Sequence, residues 1–357
     1  MAKLAAHSLM GLIHQNDDKL PRVGASTLDQ AIQKFEQVEY SDFIVRAKEI
    51  KFVNDRLVLG KNEEYQMTSP FMDQVMKMTE MKKTQLEKLG EEKFIENVNF
   101  IMNDRSQTDY VLRTVNGVAY SILKQGQRRH NPINHKAFLN GIVDMVGNEF
   151  NDQGMWSITT DGHGLRVLTT HPTKHFDVGM GDIQREGLEF RNNDVNLKMS
   201  FHYHLLRTAC TNSTIFPNYF AAERDSNDGP HGFDRFLRDS MRMFGEGKDI
   251  VPVYNQMQTT QLDPDVFGEV FDKLDKAARK DTEKILVPYL MADFVTNRIA
   301  FNEKKILERT EWDLFNDLTH YSKTCSPAVQ QKAQAIAGEM VLDRMREMNP
   351  RMRARLN

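Results

Sequence analysis

Tyr110-Val111-Leu112-Arg113-Thr114-Val115-Asn116-Gly117-Val118-Ala119-Tyr120-Ser121-Ile122-Leu123 holds two β-prone runs on either side of Asn-Gly. Asn-Gly between apolar runs is a strong hairpin signal, because both central residues of the tight turn need positive φ. The stretch therefore predicts two antiparallel strands. A second hairpin is expected around Asp161-Gly162, between Trp156 to Thr160 and Leu165 to Thr169. Further strands are expected at Gly187 to Arg191 and Val195 to Tyr203. The latter places Val195, Leu197, Met199, Phe201 and Tyr203 on one face and Asn196, Lys198, Ser200, His202 and His204 on the other.

Helical signals flank this β-rich middle. Ser69-Pro70 pairs a capping residue with proline at the first helical position, and Phe71, Met72, Val75 and Met76 follow at helical spacing. The Met67, Met72, Met76, Met78 and Met81 patch reads as core. Helices are expected over Glu91 to Met102 and Asn134 to Val146, and the chain turns mostly helical from Gly232. Asp263-Pro264 opens one helix. Thr310 with Asp313 resembles a capping box, and Ser326-Pro327 starts a last long helix that Asn349-Pro350 stops. The expected class is α+β: a central region of antiparallel hairpins flanked by helices, with a helical C-terminal region. Residues 1–60 read as an N-terminal arm or extension, 61–255 as a mixed core and 256–357 as the helical region.

The 357 residues carry 40% hydrophobic and 27% charged side chains and a net charge of −3, ordinary globular usage. Domains dedicated to nucleic acid often have a pI above ~9, so only a local patch would serve that purpose here. Cys210 and Cys325 are too few for a disulfide framework, which fits a reduced, cytoplasmic setting. The apolar stretch Ile285 to Val295 contains Pro288 and Asp293 and falls short of the ~20 residues of a membrane span. Leu9, Leu12 and Ile13 read as one face of a short helix rather than a signal peptide.

Chemistry-bearing residues are sparse. His202-Tyr203-His204 on a strand places two imidazoles on one side ~7 Å apart, where they could share a transition metal with His163, His171 or His175. The plainer reading is two hydrogen-bonded histidines, with no cofactor. Cys210 closely follows His204, but a nucleophilic thiol needs a positioned base, and a buried cysteine is the commoner case. The chain has no phosphate loop, dinucleotide fingerprint, serine elbow or His-Glu-x-x-His motif. From Asp104 to Asn140 there are six cations, Arg105, Arg113, Lys124, Arg128, Arg129 and Lys136, and two acids, Asp104 and Asp109. Single-strand binders combine such a basic groove with aromatic platforms, here Tyr110 or Tyr120. Arg113, Lys124, Arg128, Arg129 and Lys136 would then contact phosphates. The competing reading is a solvated basic surface with both tyrosines in the core.

Four stretches carry a family likeness: Thr68 to Met78 with Asn97 to Asn103; Asp109 to Gly117 with Tyr120-Ser121-Ile122-Leu123; Leu206-Arg207-Thr208-Ala209-Cys210-Thr211-Asn212-Ser213; and Thr310 to Tyr321. In this order they resemble the phage and plasmid family called "domain of unknown function 932". Ser213 stands where that family has glycine. Lys124 to Arg129 replaces a Ser-Asp-Arg-Tyr type segment, so no role tied to that segment transfers. The resemblance covers most of 61–345 and implies a mobile-element origin and a fold similar to single-strand annealing proteins. The combined expectation is a non-catalytic, homo-oligomeric protein that binds single-stranded DNA and promotes strand annealing. The alternatives are a metal-dependent enzyme built on the histidines and a structural or host-interaction phage protein.

Overall fold

The computed structural model describes residues 8–22, 24–60, 63–125, 133–147, 155–160, 164–178, 183–193, 198–207, 212–215, 221–225, 229–242, 250–293 and 298–348. It is an α+β fold in which antiparallel sheets occupy the middle of the chain and helices its C-terminal region.

The opening hairpin forms as the sequence requires. Strands β6 (Asp109–Val115) and β7 (Val118–Lys124) pair across Asn116 at φ 49° and Gly117 at φ 76°. The turn is locked from outside, because the Asn116 amide accepts from the Glu39 N–H and donates to the Lys19 carbonyl, both at 3.1 Å. The pair lies inside a six-stranded sheet of order β2-β6-β7-β5-β4-β3. Its other members are β2 (Tyr40–Arg46), β3 (Ile50–Val53), β4 (Arg56–Leu59) and β5 (Glu63–Met67). Helices α1 (Leu9–Asn16), α3 (Ser69–Thr79) and α5 (Glu91–Asp104) bury Ile13, Phe71, Val75, Phe94 and Val98 in one core with Phe52, Leu57, Leu112 and Ile122 of the sheet. A short α4 (Lys83–Leu89) precedes α5, and α2 (Leu28–Glu36) lies in the other core.

That packing corrects the expected arm at 1–60. The Asn16 side chain donates to the Met67 carbonyl at 2.9 Å, and the Asn99 amide bonds the Phe52 backbone at 2.8 and 2.9 Å. Every backbone rung of β2 is made to β6, some seventy residues later. Residues 8–22 and 24–60 contribute strands and helices to the two sheets and their cores.

The second sheet is antiparallel and seven-stranded. Its path is β1 (Gly24–Ala25), β8 (Met155–Thr160), β9 (Gly164–Asp177), β10 (Ile183–Asn193) and β11 (Lys198–Arg207). Strands β12 (Asn212–Ile215) and β13 (Ala221–Asp225) share the far edge of β11. The predicted second hairpin is the β8–β9 pair, whose last rung is Thr160 with Leu165; its turn residues lie outside the described set. Helices α2, α6 (His135–Ile142) and α7 (Gly229–Met241) cover one face. There the Phe236 ring centroid lies 5.2 Å from Phe201, 6.1 Å from Phe138 and 6.3 Å from Phe190.

The C-terminal helices α8 (Val251–Thr259), α9 (Pro264–Asp275), α10 (Arg279–Ile285), α11 (Glu303–Leu307), α12 (Glu311–Tyr321) and α13 (Pro327–Met348) continue the same core. A small hairpin, β14 (Leu290–Asp293) with β15 (Arg298–Phe301), interrupts them. Thr310 and Asp313 form the capping box the sequence predicts. The Tyr254 ring of α8 packs at 5.0 Å on Trp312 and 5.3 Å on Phe315 of α12, so the expected boundary after residue 255 runs through packed side chains. Among the described residues, no helix is long and apolar enough to cross a membrane.

Candidate nucleic-acid interface

Of the basic surface expected beside the first hairpin, Arg113 and both tyrosines are interior. Strand β6 has a neighbour on each edge, and its side chains are buried on both faces of the sheet. Tyr110 is 2% exposed and Tyr120 1%, which removes both as platforms for bases. Arg113 is 1% exposed and faces its rung partner Asp42, donating Nε to Oδ1 at 2.7 Å and Nη2 to Oδ2 at 2.9 Å. Its charge is spent inside the fold rather than on a phosphate. Lys124 is exposed at the end of β7, and Lys136 is half-buried in the first turn of α6. Arg128 and Arg129 lie outside the described residues.

The histidine pair leads to a more substantial arrangement. Along β9, β10 and β11, Val167, Leu188, Phe190, Met199, Phe201 and Tyr203 face the helices. The intervening residues occupy the opposite face, as strand alternation demands. Register sets them in rows across four strands. One row is Thr159, Arg166, Arg191 and Ser200, and the next is Ser157, Leu168, Glu189 and His202. Ser157 and Thr159 are exposed, and Arg166, Leu168, Arg191, Ser200 and His202 are half-buried.

Glu189 organises these rows. Its side chain has no exposure, yet it stays ionised between two guanidiniums. Arg191 donates Nε and Nη2 to its two oxygens, each at 2.9 Å, and Arg166 donates its Nε to Oε1. Burial alone pushes the Glu189 carboxyl up, but Arg166, Arg191 and the nearby His202 outweigh it and hold the pKa at about 2. Two arginines on one carboxylate leave a net positive charge. Gln331 of α13 lies against Arg191, and with its amide oxygen turned inward it would accept from that guanidinium. Arg166 spends only its Nε on the carboxylate, and its side chain is 35% exposed.

His204 is a structural tie. It reaches over Gly187, which has no side chain, and gives its Nε2 proton to the Thr169 carbonyl at 3.0 Å. A carbonyl only accepts, so Nε2 is the protonated nitrogen. Nδ1 is buried with no hydrogen-bond partner among the described residues. Of the expected metal site on His202, His204 and His163, the last lies outside the described residues. His171 accepts from the Thr173 and Lys174 amides at 3.2 and 3.1 Å, and His175 bonds the Thr173 carbonyl. Among the described residues, no group of three or more potential ligands is placed to hold a metal ion. Cys210 is outside the described residues, while burial, with Asp281 nearby, raises the Cys325 thiol pKa and disfavours its thiolate.

Burial holds the His204 pKa down at about 4, against 6.5 in an exposed imidazole. Between these values the unfolded chain binds the extra proton. The stability His204 contributes is therefore complete above pH 6.5 and is lost as pH falls towards 4, about tenfold in the folding equilibrium per pH unit. The contribution of Glu189 is complete above 4.5 and fades towards pH 2. Urea midpoints between pH 7 and pH 4.5 are expected to fall steeply for the wild type and less so for His204→Asn. Equal slopes in the two proteins would exclude His204 as the titrating group.

Neither arginine of the donor row was singled out from sequence. The signal available was alternation: Glu189 and Arg191 interrupt Leu188 and Phe190 at period two. Comparison of the chain with protein-family models, curated proteins and solved structures returns no match.

Proposed function

We propose that the protein binds single-stranded DNA across the outer face of the large sheet. The observation carrying this reading is the in-register row Thr159, Arg166, Arg191, Ser200, whose two cations share one buried carboxylate. Strands lie about 4.8 Å apart, so the row presents hydroxyl, guanidinium, guanidinium and hydroxyl over roughly 14 Å. Hydroxyls and guanidiniums are the usual partners of phosphate oxygens. Glu189 fixes both guanidinium planes before a ligand arrives, which reduces the ordering cost of binding. Leu168 and His202, one row away, offer an apolar surface and a ring for bases.

These contacts read backbone rather than sequence, so binding is expected to be sequence-tolerant and salt-sensitive. One such row is a modest patch, and repetition in a homo-oligomer would multiply it. Strand annealing by a phage or mobile-element protein is consistent with that scheme and with the ordered family likeness over 61–345. Lys124, Arg128, Arg129 and Lys136 remain proposed as secondary phosphate contacts.

Arg166→Ala tests the reading while Arg191 still neutralises Glu189. In fluorescence-anisotropy titrations with a labelled oligo-dT, affinity is expected to fall roughly tenfold near 100 mM salt. The slope of log K against log salt should flatten by about 0.7, the value for one lost single-strand phosphate contact. Arg166→Lys should restore the slope and part of the affinity. An Arg166→Ala protein that is folded and binds with the wild-type slope rejects the sheet face as the DNA site.

A further inference from the structure

We infer that strand β2 joins two copies of this chain, edge to edge and antiparallel, about a two-fold axis beside Phe43. Strand β2 ends the six-stranded sheet on one side, with β6 as its only neighbour among the described strands. Along an antiparallel strand, residues that bond across the ladder alternate with residues whose backbone groups point away. Bonds just past the ends of the pair set the phase. The Asn116 N–H donates to the Glu39 carbonyl at 3.0 Å, and the Ala47 N–H to the Thr108 carbonyl at 2.9 Å. Odd-numbered residues of β2 therefore bond β6, and Asp42 and Ile44 turn their N–H and carbonyl to the free edge. Among the described residues, nothing bonds those outward groups. Ile44 is 54% exposed, and a cavity of about 430 Å³ lies beside Phe43, Ile44 and Val45. This edge meets open space.

An unguarded edge strand is a template for another strand. The fold guards the opposite edge, where the Asn99 side chain takes up both the N–H and the carbonyl of Phe52 in β3. Strand β2 has no proline, lysine or bulge. A second β2 is the occupant that fits, because the edge is self-complementary, as an isologous interface requires. With the axis beside Phe43, Asp42 of each copy lies opposite Ile44 of the other, and every free N–H meets a free carbonyl. The same register brings the two Phe43 rings together as a directly opposed pair and sets Tyr40 opposite the half-exposed Arg46 guanidinium. The dimer supplies an interface for the homo-oligomer invoked above. It does not rest on DNA binding, since neither the pairing nor its test involves nucleic acid.

Sedimentation velocity of the full chain at micromolar concentration tests this. The wild type is expected to run as a dimer or a multiple of one. Ile44→Lys places an ammonium on each side of the axis, and should weaken association by roughly tenfold or more while the urea midpoint stays near that of the wild type. A short bis-maleimide should join Ile44→Cys into a covalent dimer. The wild type, with Cys210 and Cys325, and Phe100→Cys, 72% exposed on α5, serve as controls and should cross-link far less. A monomeric wild type overturns the proposal. So does a folded Ile44→Lys protein that associates like the wild type, or an Ile44→Cys protein that cross-links no better than Phe100→Cys. Arg166→Ala should leave the dimer intact, so failure of either reading leaves the other standing.

Discussion

Asp42→Ala is expected to lower the folding free energy by about 3–5 kcal/mol, the usual cost of breaking a buried ion pair from one side. The reason lies in where β6 runs. Its Arg113 side chain is 2% exposed and that of Asp42 11%, on adjacent strands at the same rung. Removing the carboxylate takes the acceptor from two N–H groups of a guanidinium that stays charged at any ordinary pH. The pair ties the edge strand β2 to its only neighbour among the described strands, so the cost falls on the β2–β6 pairing. The converse variant separates charge from packing. Replacing both partners, as Asp42→Leu with Arg113→Met, removes two desolvated charges and should recover most of the loss, because apolar substitutes for buried pairs are often neutral or better. Urea midpoints of the two single variants and the double variant close the cycle. A single-variant loss below 1 kcal/mol would show that the pair is solvated in solution.

This pair also shows where reading the sequence stops. The hairpin at Asn116-Gly117 was legible because its cause is local: two adjacent residues must accept positive φ, and both do. The helix starts at Asp263-Pro264 and Thr310 were legible for the same reason, since a cap and the N–H that donates to it lie within three residues. The six cations of residues 104–140 were equally visible, but the acid that neutralises Arg113 is seventy-one positions earlier. No window of sequence reveals that β2 pairs with β6, and without that rung Arg113 reads as surface. The same blindness made an arm of residues 1–60 and a boundary of residue 255. In both places the deciding contacts, Asn16 with Met67 and Tyr254 with Trp312, are long-range. The candidate site lies further along this scale. Its strands were legible as alternation, whereas the row Thr159, Arg166, Arg191, Ser200 exists only once the registers of three strand pairs are fixed together.

Gly187→Ala is expected to be comparably severe, and for a reason that ties the fold to the site. A methyl group at Gly187 would overlap both the His204 imidazole and the Thr169 carbonyl oxygen. The imidazole can turn away only by giving up its bond to Thr169, in a place where a lost buried hydrogen bond costs about 1–3 kcal/mol. The carbonyl has less freedom, because β9 is held between β8 and β10. Overpacking of this kind adds about 1–3 kcal/mol, so the combined loss is expected to be about 2–6 kcal/mol by urea unfolding. Adding His204→Ala to Gly187→Ala should restore only part of it, since the Thr169 obstacle remains. Full restoration would make the imidazole the sole constraint, and an unaffected Gly187→Ala protein would show that β10 does not approach β9 this closely. The register shift between Arg185 and Gly187 ends two residues before Glu189 on the same strand. Any shift of β10 at residue 187 therefore displaces the carboxylate that aims Arg166 and Arg191. In a Gly187→Ala protein that remains folded at low temperature, oligo-dT affinity should fall together with stability. Loss of stability with intact affinity would mean that the arginine pair does not need Gly187 to hold its geometry.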